Sequence, residues 1–291
     1  MTATPSDHWR LRSGELPLPG FGDSPRRPIV MGIVNVTPDS FSDGGRLGSV
    51  EAAVAHGLSL VAAGAGILDV GGESTRPFAT PVDAEEEIRR TAEVVRRLVR
   101  ESGVPVSIDT SKAAVARRAL DHGAEIVNDV TGLSGDPEML PLVLAEAPGV
   151  CAMHMQGTPA TMQLAPRYGD VVAEIHDWLA ARRDGLVAAG VAAERICLDP
   201  GIGFGKTHDH NLELVRRAGE FLDLGRPILV GHSRKGFIGK SLERSLGRPA
   251  TEAERDAATA GIACRLAVAG IHVVRVHAVG LVRSALDGFM A

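Results

Sequence analysis

The feature that most constrains the fold of this chain is a repeated alternation of short apolar runs with segments of helical periodicity. Strands that alternate with helices form parallel sheets with right-handed crossovers. Eight such units over a chain of this length favour closure into a (β/α)8 barrel of about 250 residues. An open doubly wound sheet is the alternative fold. The predicted strands lie at 29–34, 67–70, 105–109, 125–129, 149–154, 195–199, 227–231 and 273–277.

The segments between these runs carry the helices and leave no linker that would mark a second domain. We therefore predict one domain, with an N-terminal extension at 1–28 and the barrel at 29–291. Residues 9–19 contain two short extended runs around Ser13 and Gly14, which predicts a β-hairpin that closes the bottom of the barrel. The predicted helices lie at about 50–64, 83–102, 111–122, 136–147, 170–190, 208–224, 252–270 and 279–290.

Composition excludes several classes of protein. The formal net charge is −5 and aromatic residues make up 3% of the chain, so neither a basic face nor base-stacking platforms are expected, and nucleic acid is not a predicted partner. No apolar run approaches the ~20 residues of a membrane span, and the N-terminus has no hydrophobic signal core, which predicts a cytoplasmic protein without a membrane partner. The three cysteines form no CxxC pair and are predicted to be free thiols.

The predicted strands end in polar residues, and the carboxyl ends of barrel strands are where active sites form. Asp109, Asn128 and Asp199 follow three different strands and could present hydrogen-bond acceptors and an amide to a flat heterocycle rich in N–H donors. A purely structural polar network at the barrel mouth is the other interpretation. The sequence by itself leaves both open.

A second group of strand ends predicts anion binding. Arg275 and His277 lie two residues apart on one strand, so their side chains point to the same face. With Arg76 and Asn35 they could bind a diphosphate, with or without a divalent metal. Residues 233–235 (Ser-Arg-Lys) precede a helix, whose free N–H groups could bind a carboxylate or phosphate.

Two stretches imitate other motifs. Residues 201–207 (GIGFGKT) resemble the end of a P-loop, but Pro200 stands where that motif needs glycine. Residues 208–210 (HDH) are better explained as the start of a helix than as a metal cluster. His154 is equally consistent with a buried structural residue and with a ligand.

Taken together, the strand-end motifs resemble those of bacterial dihydropteroate synthases, a family of pterin-binding barrels. The resemblance runs from about Trp9 to the C-terminus, one motif per strand. The motifs are MGIVNVTPDSFSDGG (31–45), DVGGESTRP (69–77), SIDT (107–110), NDV (128–130), MHMQGTP (153–159), DPGIGFGK (199–206), SRK (233–235) and RVH (275–277).

The resemblance implies a transferase of folate biosynthesis and a sulfonamide target. Its reaction would join 6-hydroxymethyl-7,8-dihydropterin diphosphate to 4-aminobenzoate, with Mg²⁺ required and 7,8-dihydropteroate and diphosphate released. It also implies a homodimer. A non-catalytic pterin-binding paralogue and a methyltetrahydrofolate-dependent methyltransferase of the same barrel family are the alternatives.

The resemblance also assigns roles to individual residues. The catalytic set would be Asp43, Asp109, Lys235, Arg275 and His277. The pterin would be held by Asp109, Asn128, Met153, Asp199, Gly203 and Lys235. The 4-aminobenzoate pocket would be lined by Phe41, Thr75, Pro77, Phe204, Ser233 and Lys235. The diphosphate would be bound by Asn35, Thr75, Arg76, Arg275 and His277, with Asn35 as the metal ligand.

Residues 36–45 are expected to form a mobile lid with a hinge at Gly44-Gly45, and 37–47 to be poorly ordered without ligand. In that interpretation Phe41 covers the arylamine pocket when the lid closes. Two positions depart from the family: Ala278 stands where Asp is common, and Gly236 where some members carry a hydroxyl that contacts the benzoate carboxylate.

Overall fold

In a computed structural model of the chain, the described residues are 7–18, 27–36, 45–74 and 80–291, with the side chains of 45–49 excepted. The chain opens with a small antiparallel hairpin. Strand β1 is His8–Arg10 and β2 is Glu15–Pro17, with Trp9 opposite Leu16. The hairpin predicted around Ser13 and Gly14 is confirmed.

Eight parallel strands follow and form one sheet, in the order β8-β7-β6-β5-β4-β3-β10-β9. An isolated parallel bridge between Leu198 and Ile228 joins the two ends of that order, so the sheet closes on itself. The (β/α)8 barrel is confirmed and the open sheet is wrong. The strands are β3 Ile29–Asn35, β4 Ile67–Gly71, β5 Val106–Asp109, β6 Ile126–Asp129, β7 Gly149–Met153, β8 Ile196–Asp199, β9 Leu229–Gly231 and β10 Val273–Val276.

Helices connect these strands around the outside of the barrel. They are α1 Gly45–Ala62, α2 Ala84–Glu101, α3 Ala113–Asp121, α4 Met139–Glu146, α5 Val171–Ala188, α6 His208–Arg216, α7 Gly236–Leu246, α8 Glu252–Val268 and α9 Val279–Phe289. Ala278 occupies the N-cap position of α9 and makes no side-chain cap bond. The Asp common there in the family would therefore serve the helix start rather than the chemistry.

Two sequence predictions about helices are corrected, and a third is completed. Helix α1 begins at Gly45, before the predicted start near 50, so a residue expected in a hinge is helical. The predicted helix 208–224 divides into α6 and a 3-10 segment, Ala218–Leu224. Helix α7 is the helix expected after residues 233–235, and its bounds were not predicted because two glycines and a polar second half obscure its apolar period.

The hairpin closes the bottom of the barrel. Trp9 is fully buried, and its indole Nε1 donates to Arg195 O at 2.8 Å. Leu11 and Leu18 are buried beside it and complete the apolar plug. This arrangement leaves the opposite, carboxyl end of the strands for the site. The hairpin packs in one cluster with the inward-facing side chains Met31, Ile67, Ile126, Cys151, Cys197, Leu229 and Val273.

Two further observations concern the described part of the chain. Cys151, Cys197 and Cys264 are free thiols. Among the helices of the described residues, none has the length and apolar character needed to cross a membrane.

Candidate active site

A cleft of about 980 Å³ opens at the carboxyl ends of the barrel strands. Its lining combines strand ends with the loop that follows β8 and with the first turn of α7. Predicted site residues that line it are Asn35, Asp109, Gly203, Phe204, Ser233, Lys235, Arg275 and His277. The structure therefore brings together side chains from across the sequence at the end of the barrel where the chemistry was expected.

An ion-pair network crosses the floor of this cleft. Arg275 donates from Nε to Asp69 Oδ2 at 2.5 Å and from Nη2 to Asp109 Oδ2 at 2.7 Å. Asn128 Nδ2 donates to the same Asp69 Oδ2 at 3.1 Å. Four strands, β4, β5, β6 and β10, thus contribute one polar residue each to a connected network.

Asp69 is a site residue that the sequence analysis did not single out. It is fully buried in the middle of β4, and its Oδ1 has no hydrogen-bond partner among the described residues. Burying a carboxylate is costly unless a charge compensates for it, and Arg275 supplies that charge. The signal was available in the sequence as a lone carboxylate inside the apolar run ILDVG.

The buried position of these groups changes their proton affinities. Burial raises the pKa of Asp109 to about 7, against the opposing effect of the Arg275 charge. Burial also raises the pKa of Asp199, although the nearby Lys235 charge opposes this. The pKa of Lys235 falls to about 8, because burial disfavours its ammonium form. Two groups of the site thus titrate close to neutral pH.

Asp199 ends β8 and has one oxygen committed to the backbone. Its Oδ1 accepts from Gly201 N at 2.7 Å, which stabilises the turn that leaves the strand. A Cβ built on Gly231, at the end of β9, would lie 3.9 Å from both Asp199 Oδ2 and the Arg275 side chain. The second carboxylate oxygen and the aliphatic part of the Arg275 side chain thus flank the same glycine.

Lys235 lies across the loop that follows β8. Its Nζ donates to Ile202 O and sits 4.4 Å from the centroid of the Phe204 ring. Gly203, with φ +87°, passes directly beneath it, and a Cβ on Gly203 would lie 2.8 Å from Lys235 Cδ. Glycine at 203 is therefore required for Lys235 to reach this position.

Ser233 and His277 join the ends of two neighbouring strands. Ser233 Oγ lies 2.9 Å from His277 Nδ1, and it accepts from His277 N at 3.2 Å. The sequence analysis placed Ser233 with 4-aminobenzoate and His277 with diphosphate. Their contact means that these two predicted subsites adjoin.

Other predicted residues lie deeper or outside the described part. Asn128, Asp199 and Met153 are buried and do not line the cleft. Met153 packs beneath Gly201, where a Cβ would lie 3.2 Å from Met153 Cγ. Residues 37–44, which make up most of the expected lid, also lie outside the described residues. The predicted site residues that fall outside the described residues are Phe41, Asp43, Thr75, Arg76 and Pro77.

His154 and the segment 208–210 both have structural roles. Lys206 Nζ, buried, contacts His154 Nδ1 at 3.0 Å and donates to Phe204 O at 2.9 Å, so His154 supports the loop after β8. Burial lowers the pKa of His154 to about 3. The segment 208–210 begins α6, where Thr207 and His210 form a reciprocal cap, as predicted.

The chain matches the family model described as pterin binding enzyme over residues 31–277. The dihydropteroate synthase of Synechocystis sp. is 44% identical over 252 residues, which is 87% of this chain and 86% of that protein. This chain belongs to the dihydropteroate synthase family. Members of that family are transferases.

Solved structures of the family agree in fold. The Xanthomonas albilineans dihydropteroate synthase with 4-aminobenzoic acid superposes with a TM-score of 0.87 at 42% identity, covering 98% of this chain and 97% of that one. The same enzyme in complex with 7,8-dihydropteroate gives a TM-score of 0.81 at 41% identity, covering 92% and 94% of the two chains.

Proposed function

We propose that this chain joins 6-hydroxymethyl-7,8-dihydropterin diphosphate to 4-aminobenzoate, releasing 7,8-dihydropteroate and diphosphate. The observation that carries the proposal is the convergence of Asp109, Lys235 and Arg275 on one cleft, with Asp69 and Asn128 joined to Arg275 in a polar network next to it. The Xanthomonas relatives hold 4-aminobenzoic acid and 7,8-dihydropteroate, which are a substrate and the product of this reaction.

The pterin subsite is proposed at the deep end of the cleft. Asn128 uses its Nδ2 for Asp69, which leaves its amide oxygen to accept from the ring. Asp199 has one oxygen free of the Gly201 bond and can accept from the amino and N–H groups of the pterin.

The leaving group would lie toward Arg275, Ser233 and His277. Diphosphate carries several negative charges, and a guanidinium matches its geometry with paired hydrogen bonds. Burial lowers the pKa of Arg275, but the charges of Asp69 and Asp109 raise it, and the net effect is a raised pKa. Arg275 therefore stays cationic over the pH range in which the protein is folded. His277 and Ser233 add hydrogen-bonding groups at the same strand ends.

Magnesium fits this cleft as an ion carried with the diphosphate. Asn35 ends β3, lines the cleft and is partly buried, so it can offer one amide oxygen. Mg²⁺ is held in many sites by one or two protein oxygens together with substrate phosphates. Within the described ranges no group of three His, Cys, Asp or Glu could hold a metal without substrate. When bound, the ion would offset charge on the leaving diphosphate.

The carboxylate of 4-aminobenzoate is proposed to bind at the start of α7. Lys235 occupies the N-cap position there and makes no side-chain cap bond, so the first-turn N–H groups of Gly236 and Phe237 remain available. Phe204, beneath Lys235, offers a face for the arene ring. The arylamine nitrogen would then point inward, toward the reacting carbon.

The reaction needs no side-chain nucleophile. The carbon that loses diphosphate is conjugated to an electron-rich dihydropterin, so bond breaking can run ahead of attack by the amine. Arg275 would stabilise the departing charge, and Asp109 would stabilise the cationic carbon. The neutral arylamine needs mainly to be held in line, which is the contribution of the Ser233–Gly236 turn.

The test is diphosphate release by the purified chain. We expect Mg²⁺-dependent release only when both substrates are present, with sulfonamides competing against 4-aminobenzoate. Binding of pterin diphosphate without turnover would instead support the non-catalytic paralogue. Binding of methyltetrahydrofolate, but not of pterin diphosphate, would support the methyltransferase. The comparisons favour neither alternative.

Two further expectations belong to this proposal. We expect a homodimer that uses the barrel helices, where Val268 of α8 and Leu281 and Phe289 of α9 are exposed apolar side chains. Sedimentation equilibrium would test it, with a monomer as the contrary result. A cytoplasmic location is also expected and can be tested by cell fractionation.

A further inference from the structure

We propose that Asp256 of α8 is a positioning residue for the 4-aminobenzoate subsite. It holds Arg234 in a left-handed backbone conformation, which directs Lys235 and the first turn of α7 into the cleft. The inference rests on the proposed function, and it concerns a helix outside the strand-end motifs.

The backbone of Arg234 is unusual for its residue type. Its φ is +58°, in the left-handed region that side chains with a Cβ rarely occupy. Such a conformation persists only where surrounding contacts enforce it, and these contacts cluster at functional sites. The turn needs it because the chain leaves β9 at Gly231 and enters α7 at Gly236, with Lys235 already facing inward.

Asp256 supplies the main contact. Arg234 donates from Nε to Asp256 Oδ1 at 2.7 Å and from Nη2 to Asp256 Oδ2 at 2.8 Å, a paired geometry. The side chain of Asp256 is only 12% exposed. Arg234 Nη1 also pairs with Glu252 at 2.9 Å, but that carboxylate is 73% exposed and should contribute little.

A neighbouring residue of α8 holds the backbone of the same turn. Thr259 Oγ1 accepts from Arg234 N at 3.3 Å, and Thr259 O lies 3.0 Å from Nε2 of the fully buried His232. The residues before and within the turn are thus both tied to one helix. The turn position is consequently set by α8 and not by β9 alone.

These contacts also exclude a simpler role for Arg234. Its side chain lines the cleft and could be taken for a ligand of the substrate carboxylate. However, Nε, Nη1 and Nη2 each already face a carboxylate of α8. Arg234 therefore acts as an anchor, and the neighbouring Lys235 and the α7 N–H groups are left to meet the substrate.

The test compares Asp256→Asn with Glu252→Gln, a matched control that removes the exposed partner of the same arginine. In Asp256→Asn we expect KM for 4-aminobenzoate to rise about tenfold. KM for pterin diphosphate should rise by a smaller factor, because Lys235 is one pterin contact among several and the others lie on strands that the substitution does not touch. Glu252→Gln should leave KM for 4-aminobenzoate unchanged. Asp256→Glu keeps the carboxylate, so its KM should lie between those of the unsubstituted chain and of Asp256→Asn.

Two arginine variants keep the proposal falsifiable if Asp256→Asn does not fold. Arg234→Gly can adopt the left-handed conformation without strain but has no anchor, so the same rise in KM is expected. Arg234→Gly/Asp256→Asn should be no worse than Arg234→Gly, since both changes remove one interaction.

The kinetic measurements distinguish failure of the proposed function from failure of this inference. An unsubstituted chain without turnover would refute the proposed function, and this inference with it. An active enzyme in which Asp256→Asn or Arg234→Gly retains the original KM for 4-aminobenzoate would overturn the inference alone. A uniform fall in kcat with unchanged KM values would also overturn it, since it would show general damage and not a displaced turn.

Discussion

Arg275 reaches across the barrel interior from β10 to Asp69 on β4, and its Nε lies 2.5 Å from Asp69 Oδ2. Strand β3 stands between those two strands in the sheet. The arginine that the sequence assigned to diphosphate thus has a second partner, a fully buried carboxylate. Its charge holds the carboxylates of Asp69 and Asp109 in one network at the cleft.

Arg275→Ala should therefore have two effects. Removing one partner of a buried ion pair should lower the free energy of unfolding by about 3 kcal/mol, measured by chemical denaturation. Affinity for pterin diphosphate should fall at least tenfold more than affinity for free pterin, measured by calorimetry.

The control is Asp199→Ala, which should abolish binding of both ligands because it removes acceptors for the ring itself. Asp177→Asn, at a carboxylate 86% exposed, should change neither. Equal losses for the two ligands in Arg275→Ala would refute the anion assignment.

Gly203→Ala should displace Lys235. The new Cβ would lie 2.8 Å from Lys235 Cδ, and the φ of +87° adds backbone strain of about 1 kcal/mol or more. We expect a lower melting temperature and weaker pterin binding together. Gly185→Ala, in helix α5 with nothing within 4 Å of its Cβ among the described residues, is the matched control and should be neutral or slightly stabilising. Unchanged pterin affinity in Gly203→Ala would show that the position of Lys235 is not critical.

Gly236→Ser should strengthen binding of 4-aminobenzoate. No described residue lies within 4 Å of a Cβ built at this position, so the serine fits, and its hydroxyl adds a donor beside the first turn of α7. One net hydrogen bond is worth a decrease in KM of about fivefold. Gly236→Ala adds the Cβ without the hydroxyl and should leave KM near its original value. A higher KM in the serine variant would mean that the carboxylate does not bind at this turn.

The pH profile of kcat/KM for pterin diphosphate should be bell-shaped. Below about pH 7 Asp109 takes up a proton and loses the negative charge that pairs with Arg275 and would stabilise the cationic carbon. Above about pH 8 Lys235 loses its charge. Activity should therefore be highest between these values and fall on both sides. In Lys235→Arg the basic limb should disappear, because arginine stays protonated. A basic limb that persists unchanged in that variant would assign it to another group.

Much of the site could be predicted because strand ends in a barrel meet at one rim. Asp109, Ser233, Lys235, Arg275 and His277 were found this way, each as a polar residue after an apolar run. Asp69 was missed because it lies inside its strand, where periodicity predicts only burial. Helix α7 was expected after residues 233–235 but without bounds, since its apolar pattern is too weak to mark where it begins and ends.

By itself the sequence determined the order of strands and helices, and with it the barrel, because hydrophobic periodicity is a local property of the chain. The tertiary structure alone decided which polar groups pair. Arg275 and Asp69 are 206 residues apart, and Arg234 and Asp256 belong to different elements. The distances within these pairs follow from the closure of the barrel and from the packing of α8 against the turn after β9. No local pattern records those distances, since each results from many packing contacts acting together.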